Sequence, residues 1–179
     1  MIRLVILSLL VCSISFSQED KKYSKVESKY FNNLYSINDS IYRSEQPSKK
    51  GFKELEESGA KTILNLRRLR SDSTKARETD LKLKHIPLAT KYITENQILD
   101  VLKVIKDAEK PLVIHCWHGS DRTGVVVAAN RMVFEGWTKE EAIEEFQEKK
   151  FGYHKKRYPN LLSLLENLDI EFLKKQLDL

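Results

Sequence analysis

The run His115-Cys116-Trp117-His118-Gly119-Ser120-Asp121-Arg122-Thr123-Gly124 joins two apolar segments and so dictates how the chain passes from one buried element to the next. Upstream, Pro111-Leu112-Val113-Ile114 is a short apolar run behind a proline, which predicts a fully buried strand. Downstream, Val125-Val126-Val127-Ala128-Ala129 opens an apolar segment long enough for a helix ending near Gly136. The decapeptide is therefore a strand-to-helix loop. Its backbone N–H groups converge where the helix dipole favours negative charge, and an anion belongs there. The same field, with Arg122 beside it, is expected to lower the Cys116 thiol from its free value of about 8.5 toward a thiolate at neutral pH. A thiolate under a bound phosphate is a nucleophile.

Cys116 to Arg122 fits a Cys-x5-Arg pattern in the extended form His-Cys-x-x-Gly-x-x-Arg-Thr-Gly. In this it resembles the cysteine-dependent phosphatases of the protein tyrosine phosphatase superfamily. Ile41-Tyr42-Arg43-Ser44-Glu45-Gln46-Pro47-Ser48 and Thr62-Ile63-Leu64-Asn65-Leu66-Arg67 are similar to the opening segments of its compact dual-specificity-like branch, atypical fungal and plant members included. The resemblance covers about residues 35–165. It implies that Cys116 attacks phosphorus to form a thiophosphate ester and that Arg122 clamps the equatorial oxygens with its planar fork. It further implies a hydroxyl hydrogen bond from Thr123 to the sulfur and a loop oriented from behind by His115. The backbone donors of Trp117, His118, Gly119, Ser120 and Asp121 would complete the cradle. Gly119 and Gly124 suit close backbone approach.

The proton donor departs from the commonest pattern of such enzymes, which take an aspartate from a separate upstream loop. The corresponding stretch here, Ile86-Pro87-Leu88-Ala89-Thr90-Lys91-Tyr92, holds no carboxylate. Asp121, just before the arginine, resembles the loop aspartate of myotubularin-type phosphoinositide phosphatases and is the favoured acid. The other reading of Asp121 is a structural carboxylate paired to a neighbour. Asp72 and Asp80, in a polar segment expected to be mobile, are the runners-up.

The first residues bear on location. Met1-Ile2-Arg3 is a short positive region, residues 4–11 are almost wholly apolar, and Ser15-Phe16-Ser17 puts small residues before Gln18, the pattern of a secretory signal peptide. Export to the periplasm or the medium is the expectation. Cleavage after Ser17 removes Arg3 and no acid, taking the formal net charge from +5 to about +4. Cys12 within the leader also invites a lipid anchor, although Val11 before it suits that signal poorly. With the leader gone, Cys116 is the one cysteine left, with no disulfide partner and no second thiol to resolve a sulfenic acid. No further segment reaches membrane-spanning length, and no stable transmembrane segment is expected after cleavage.

The remaining stretch of about 160 residues is the size of one domain, without internal repeats. Residues 1–17 are assigned to the signal peptide, 18–33 to a flexible, solvated lead-in, and 34–179 to the phosphatase domain. Ser48 caps a helix over 49–58, residues 61–66 and 84–88 are strands, and Thr94-x-x-Gln97 and Thr138-x-x-Glu141 are capping boxes for helices over 95–108 and 139–149. A last helix over 160–175 carries Leu161, Leu164, Leu165, Leu168 and Phe172 on one face. Alternating strands and helices imply a single α/β domain with a central, mostly parallel sheet flanked by helices, like that of dual-specificity phosphatases.

Arg67 ends a strand expected to emerge beside the phosphate loop and is a candidate substrate-binding residue. Trp117 and His118 could flank an aromatic ring or an inositol, or pack the loop. Lys155, Lys156 and Arg157 read as a solvated face. Phe151-Gly152-Tyr153-His154 either folds back toward the site or closes a helix by aromatic packing. His118 and His154 lack Cys or carboxylate partners at metal spacing, so no metal is indicated, and no cofactor or nucleic acid is implied. The expected partner is a phosphorylated substrate: a phosphotyrosine protein, an inositol phosphate or a phosphoinositide. A phosphate-binding module without turnover and a rhodanese-type sulfur-transfer enzyme are the readings from other classes. The Arg-Thr-Gly ending disfavours the latter.

Overall fold

The computed structural model describes residues 23–179; the expected leader over 1–17 and Cys12 within it lie outside the described residues. Six strands form one sheet in the order β1-β2-β3-β6-β4-β5. They are β1 (Ser24–Lys25), β2 (Tyr35–Ser36), β3 (Ile41–Ser44), β4 (Thr62–Asn65), β5 (Lys82–His85) and β6 (Leu112–His115). The four strands β3, β6, β4 and β5 run parallel, and β1 and β2 add an antiparallel margin beside β3. The mixed but mostly parallel sheet matches the expected class.

Every residue of β4 and β6 is buried, as strands covered on both faces must be. Their side chains alternate between two apolar layers. Ile63 and Val113 pack with Phe31, Phe52 and Leu55 on the side of α1 (Lys49–Glu57). Leu64, Leu112 and Ile114 pack on the opposite face under α2 (Glu95–Asp107), α3 (Asp121–Phe134), α4 (Lys139–Gln147), α5 (Asn160–Asn167) and α6 (Ile170–Gln176). The helix α3 runs through the middle of this layer, buried at nearly every position from Asp121 to Val133. Caps expected from the sequence are formed. The Ser48 hydroxyl accepts from the Gly51 N–H, and Thr94 with Gln97 and Thr138 with Glu141 make reciprocal capping boxes.

Three elements differ from the sequence reading. Residues 23–33 are not wholly a solvated lead-in: they hold β1, and Phe31 is buried between α1 and the sheet because an apolar ring there closes the lower layer. The strand expected at 84–88 begins earlier, at Lys82, because pairing with β4 starts at Thr62 opposite Lys82. Ile86 and Leu88 still donate to the carbonyls of Asn65 and Leu66 beyond its end. The helix expected over 160–175 is broken in two. Leu168 and Asp169 adopt extended backbone angles, and the Asp169 carboxylate caps α6 by accepting from the Phe172 N–H at 2.9 Å. A short polar side chain that competes for backbone donors favours a cap over a helix interior. The break rotates the last turns, so Leu173 and Leu177 are buried and Phe172 is exposed. Accordingly, Leu173→Ala should lower the unfolding free energy in urea by about 2–5 kcal/mol. Phe172→Ala should cost clearly less, whereas an unbroken helix would reverse the order.

Candidate active site

The three central strands end level. Ser44 of β3 and Asn65 of β4 both pair with His115 of β6, so the residues that follow them leave the carboxyl edge of the sheet together. In open parallel sheets this edge is where ligands bind. The segment after β6 is the decapeptide loop. It turns through Cys116 to Ser120 into the first turn of α3, with Gly119 at φ +72°. A Cβ on Gly119 would lie 2.6 Å from the backbone of Ser44, so glycine is required both for the left-handed angle and for the contact.

Outside donors hold three consecutive carbonyls of the loop. The Gln46 N–H donates to Trp117 O at 3.1 Å, the Asn33 amide to His118 O at 2.8 Å, and Arg43 Nη2 to Gly119 O at 2.9 Å. In a trans peptide unit the N–H points opposite its carbonyl, so the amides of His118, Gly119 and Ser120 are turned away from these donors. This orientation creates a concave row of donors at a helix start. Cys116 lies buried at its head. At its end Arg122 donates through Nη1 to Leu66 O at 3.3 Å, and its Nε is buried without a protein acceptor. The Thr123 hydroxyl is also buried without a protein partner, and Ser120 is buried with its Oγ 3.5 Å from His118 O. Gly124 lies under the Phe146 ring of α4, where a Cβ would come within 2.8 Å.

A chain of polar contacts supports the loop from beneath. His115 is fully buried, its Nε2 2.8 Å from Asp72 Oδ2 and its Nδ1 3.1 Å from Cys116 O. Asp72 also accepts from Gln46 Nε2 at 2.9 Å, and Gln46 Oε1 accepts from Arg67 Nη1 at 2.6 Å. The Arg67 guanidinium stacks 4.3 Å from the centre of the Trp117 ring, so Arg67 stands at the loop's rim as expected. Burial acts to raise the Asp72 carboxyl. Hydrogen bonds from His115, Gln46 and Asn65 and the charge of His115 outweigh it and hold the group below its ordinary range. The Arg43 guanidinium is buried 3.9 Å over the Phe151 ring. Burial brings it down to about 10, opposed by the charges of Glu145 and Cys116. It stays cationic at neutral pH beneath the loop.

Neither alternative acid lines the cleft beside Arg122. Asp72, expected in a polar mobile segment, is instead buried against His115, where it has a support role. Asp80 precedes β5 at the amino ends of the strands, opposite the loop, and its N–H bonds to Glu56. Asp121 does sit at the loop's end, and the 151–154 segment folds back onto it. The His154 N–H donates to Asp121 Oδ1 at 2.9 Å, and His154 Nδ1 lies 2.9 Å from Oδ2. Lys155, Lys156 and Arg157 are exposed. A cleft of about 290 Å³ opens beside Arg122, lined also by Arg68, Lys91, Tyr92 and Tyr158. No carboxylate lines it. Among the described residues no cluster of potential ligands suits a metal ion. Sequence reasoning gave no role to Arg43 or Gln46. The signal for Arg43 was a cation inside a short strand, and Gln46, beyond that strand's end, had none.

A sheet whose carboxyl edge delivers a cysteine, an arginine and a row of amides to one anion-sized loop defines a dual-specificity-like phosphatase fold. The model of the tyrosine phosphatase family matches residues 26–178, and the chain belongs to that family. It is 30% identical over 122 residues to the dual specificity protein phosphatase TpbA of Pseudomonas aeruginosa, covering 67% of this chain and 56% of that protein. It is 29% identical over 126 residues to the inositol diphosphatase DSP3 of Arabidopsis thaliana, covering 64% of this chain and 61% of the relative. The chain thus spans somewhat over half the length of these curated relatives. The crystal structure of TpbA superposes with a TM-score of 0.78 at 25% identity, covering 88% of this chain and 96% of that one. TpbA has also been solved in complex with pTyr. The catalytic core of the PP-IP phosphatase SIW14 of S. cerevisiae shares the fold, with a TM-score of 0.71 at 23% identity over 83% of this chain and 93% of that one.

The Asp72–His115 pair makes a pH prediction. The folded carboxyl lies below its ordinary value of 3.8. Its contribution to stability is therefore complete above that value and is lost as pH falls through the lower folded one. Asp72→Asn should be less stable than the parent by about 1–3 kcal/mol at pH 7 in urea unfolding. The gap should narrow once the pH is taken below about 4.

Proposed function

We propose that this chain is a phosphomonoester hydrolase that works through a thiophosphate enzyme intermediate. The observation that carries the reading is the loop itself: three carbonyls drawn outward, their amides facing inward, and the Nε of Arg122 buried without a protein acceptor beside Cys116. A tetrahedral oxyanion satisfies all of these donors together. Cys116 Sγ bonds to phosphorus as the ester P–O bond breaks, and water then attacks the thiophosphate to release inorganic phosphate and restore the thiolate. Arg122 holds two equatorial oxygens through both steps, and Thr123 donates to the sulfur as it leaves. Trp117 and Arg67 form one wall of the mouth, and His118 and Ser120 belong to the opposite side of the loop. Metals and cofactors have no part in this scheme.

The substrate reading follows the cleft. Arg122, Arg68 and Lys91 make it cationic, and Tyr92 and Tyr158 give it aromatic faces. An aryl phosphate such as phosphotyrosine fits the rings, in keeping with the likeness to TpbA and its complex with pTyr. The cations favour a second reading, an inositol phosphate or phosphoinositide that presents further phosphates, in keeping with the likeness to DSP3. Phosphate release by the full chain should be measured with an aryl phosphate, phosphotyrosine peptides and inositol phosphates. Cys116→Ser should abolish release while retaining phosphate binding. A parent protein that binds phosphate but releases none, with its thiol reduced, would instead be a binding module.

Export is part of the proposal, carried by the residues at 1–17 alone. Expression of the full chain in a bacterial host should yield a protein outside the cytoplasm that begins at Gln18. A chain acylated at Cys12 would replace the free form with an anchored one, and an uncleaved cytoplasmic chain would overturn export.

A further inference from the structure

We propose that Nε2 of His154 is the atom that protonates the leaving oxygen, with Asp121 as the residue that orients the ring; this rests on the phosphatase reading above. The carboxylate is buried, Oδ1 accepts from the His154 N–H at 2.9 Å, and Oδ2 faces His154 Nδ1 at 2.9 Å. Nδ1 is also 3.2 Å from Oδ1. Oδ1 is committed to a backbone donor, and the carboxylate holds the Nδ1 edge of the ring, as an orienting acid holds a catalytic imidazole, so that Nε2 is the edge turned away from it.

Position supports the role. The His154 side chain keeps 47% of its surface exposed, and among the described residues its Nε2 has no hydrogen-bond partner. Its ring lies 5.7 Å from that of His118, so it borders the loop that carries Cys116 and Arg122. The turn that carries it is packed. A Cβ on Gly152, at φ +70°, would sit 3.0 Å from Ser120 Oγ, and the ring of Phe151 lies under the Arg43 guanidinium that holds Gly119 O. The Tyr153 ring packs 4.1 Å from that of Phe146. The other rim, at residues 88–92, offers no carboxylate to the cleft.

The proton balance closes over the two steps. As Sγ bonds to phosphorus and the P–O bond breaks, the Nε2 proton passes to the departing oxygen, leaving an alcohol and a neutral ring. In the second step Nε2 takes a proton from the attacking water, and the products are phosphate, thiolate and the imidazolium that began the cycle. The charged and titratable groups around the ring are Asp121 at the start of α3, His118 in the loop, and Tyr153, Lys155, Lys156, Arg157 and Tyr158 along its own turn.

The test uses kcat/KM, which reports the steps up to departure of the leaving group, on an aryl phosphate and on an alkyl phosphate such as glycerol 2-phosphate. His154→Asn keeps a side-chain donor for Asp121 but removes the titrating atom. It should lose about 10²- to 10⁴-fold on the alkyl ester and far less on the aryl ester. Asp121→Asn should show a smaller loss with the same dependence on the leaving group. Equal losses of His154→Asn on both esters, or none, would make the pair a structural latch and overturn the proposal. So would an alkyl-specific loss in Asp121→Asn that His154→Asn does not share. A parent protein inert on every ester, by contrast, removes the phosphatase reading itself.

Discussion

Everything at the site depends on the carbonyls of Trp117, His118 and Gly119 being pulled outward. Left alone, a loop of this kind would satisfy its own amides and carbonyls against each other. Here the donors come from elsewhere: Gln46 and Arg43 from the β3 strand and its exit, and Asn33 from the segment before it. Because two of those donors belong to β3 and its exit, the amide row cannot relax without breaking contacts to the sheet. The binding surface is thus prepared before any ligand arrives, and preorganised dipoles stabilise a developing charge without reorganising.

That preparation is costly underneath. Arg43 is buried with Nε and Nη1 unpartnered, and burial opposes its charge. His115 and Asp72 form a buried ionisable pair. Charges taken from water gain little net stability, and hydrophobic replacements would often fold as well. Their value lies in direction. Arg43 fixes Gly119 O, His115 lies against Cys116 O, and the line from Asp72 through Gln46 to Arg67 carries the same constraint to the rim at Trp117. A loop held from two sides has one conformation, which is what a nucleophile and a clamp six residues apart require.

What could be read from the sequence divides along the same line. The loop was legible because its chemistry is contiguous: a buried strand, glycines, a cysteine, an arginine and a helix start within a few residues. The capping boxes and the end of α1 were legible for the same local reason. Arg43, Gln46, Asp72 and the hold of His154 on Asp121 were not, since each reaches the site through strand register or a returning turn. Asp72 looked solvated because its neighbours are polar, and only the fold buries it. The break at Asp169 was hidden by a leucine period that continues past it. The Lys82 start of β5 was hidden because an exposed edge strand rich in lysine barely alternates.

The acid's location follows from this architecture. The cleft at the 88–92 rim is cationic and aromatic and holds no carboxylate, and the proposed donor stands instead on the α3 side of the loop. Held to Asp121 at the first turn of α3 and carried on a turn packed among aromatic rings, His154 needs no closing motion to reach its place. The consequence is a half-exposed ring that solvent can also reach. It also leaves the leaving group near the surface, so the cradle grips the phosphate while the cleft beside Arg122 grips what the phosphate is attached to. Chemistry and selectivity are then carried by different elements: the β6–α3 junction, braced by β3, for the former, and the 88–92 stretch with Arg68 and Tyr158 for the latter.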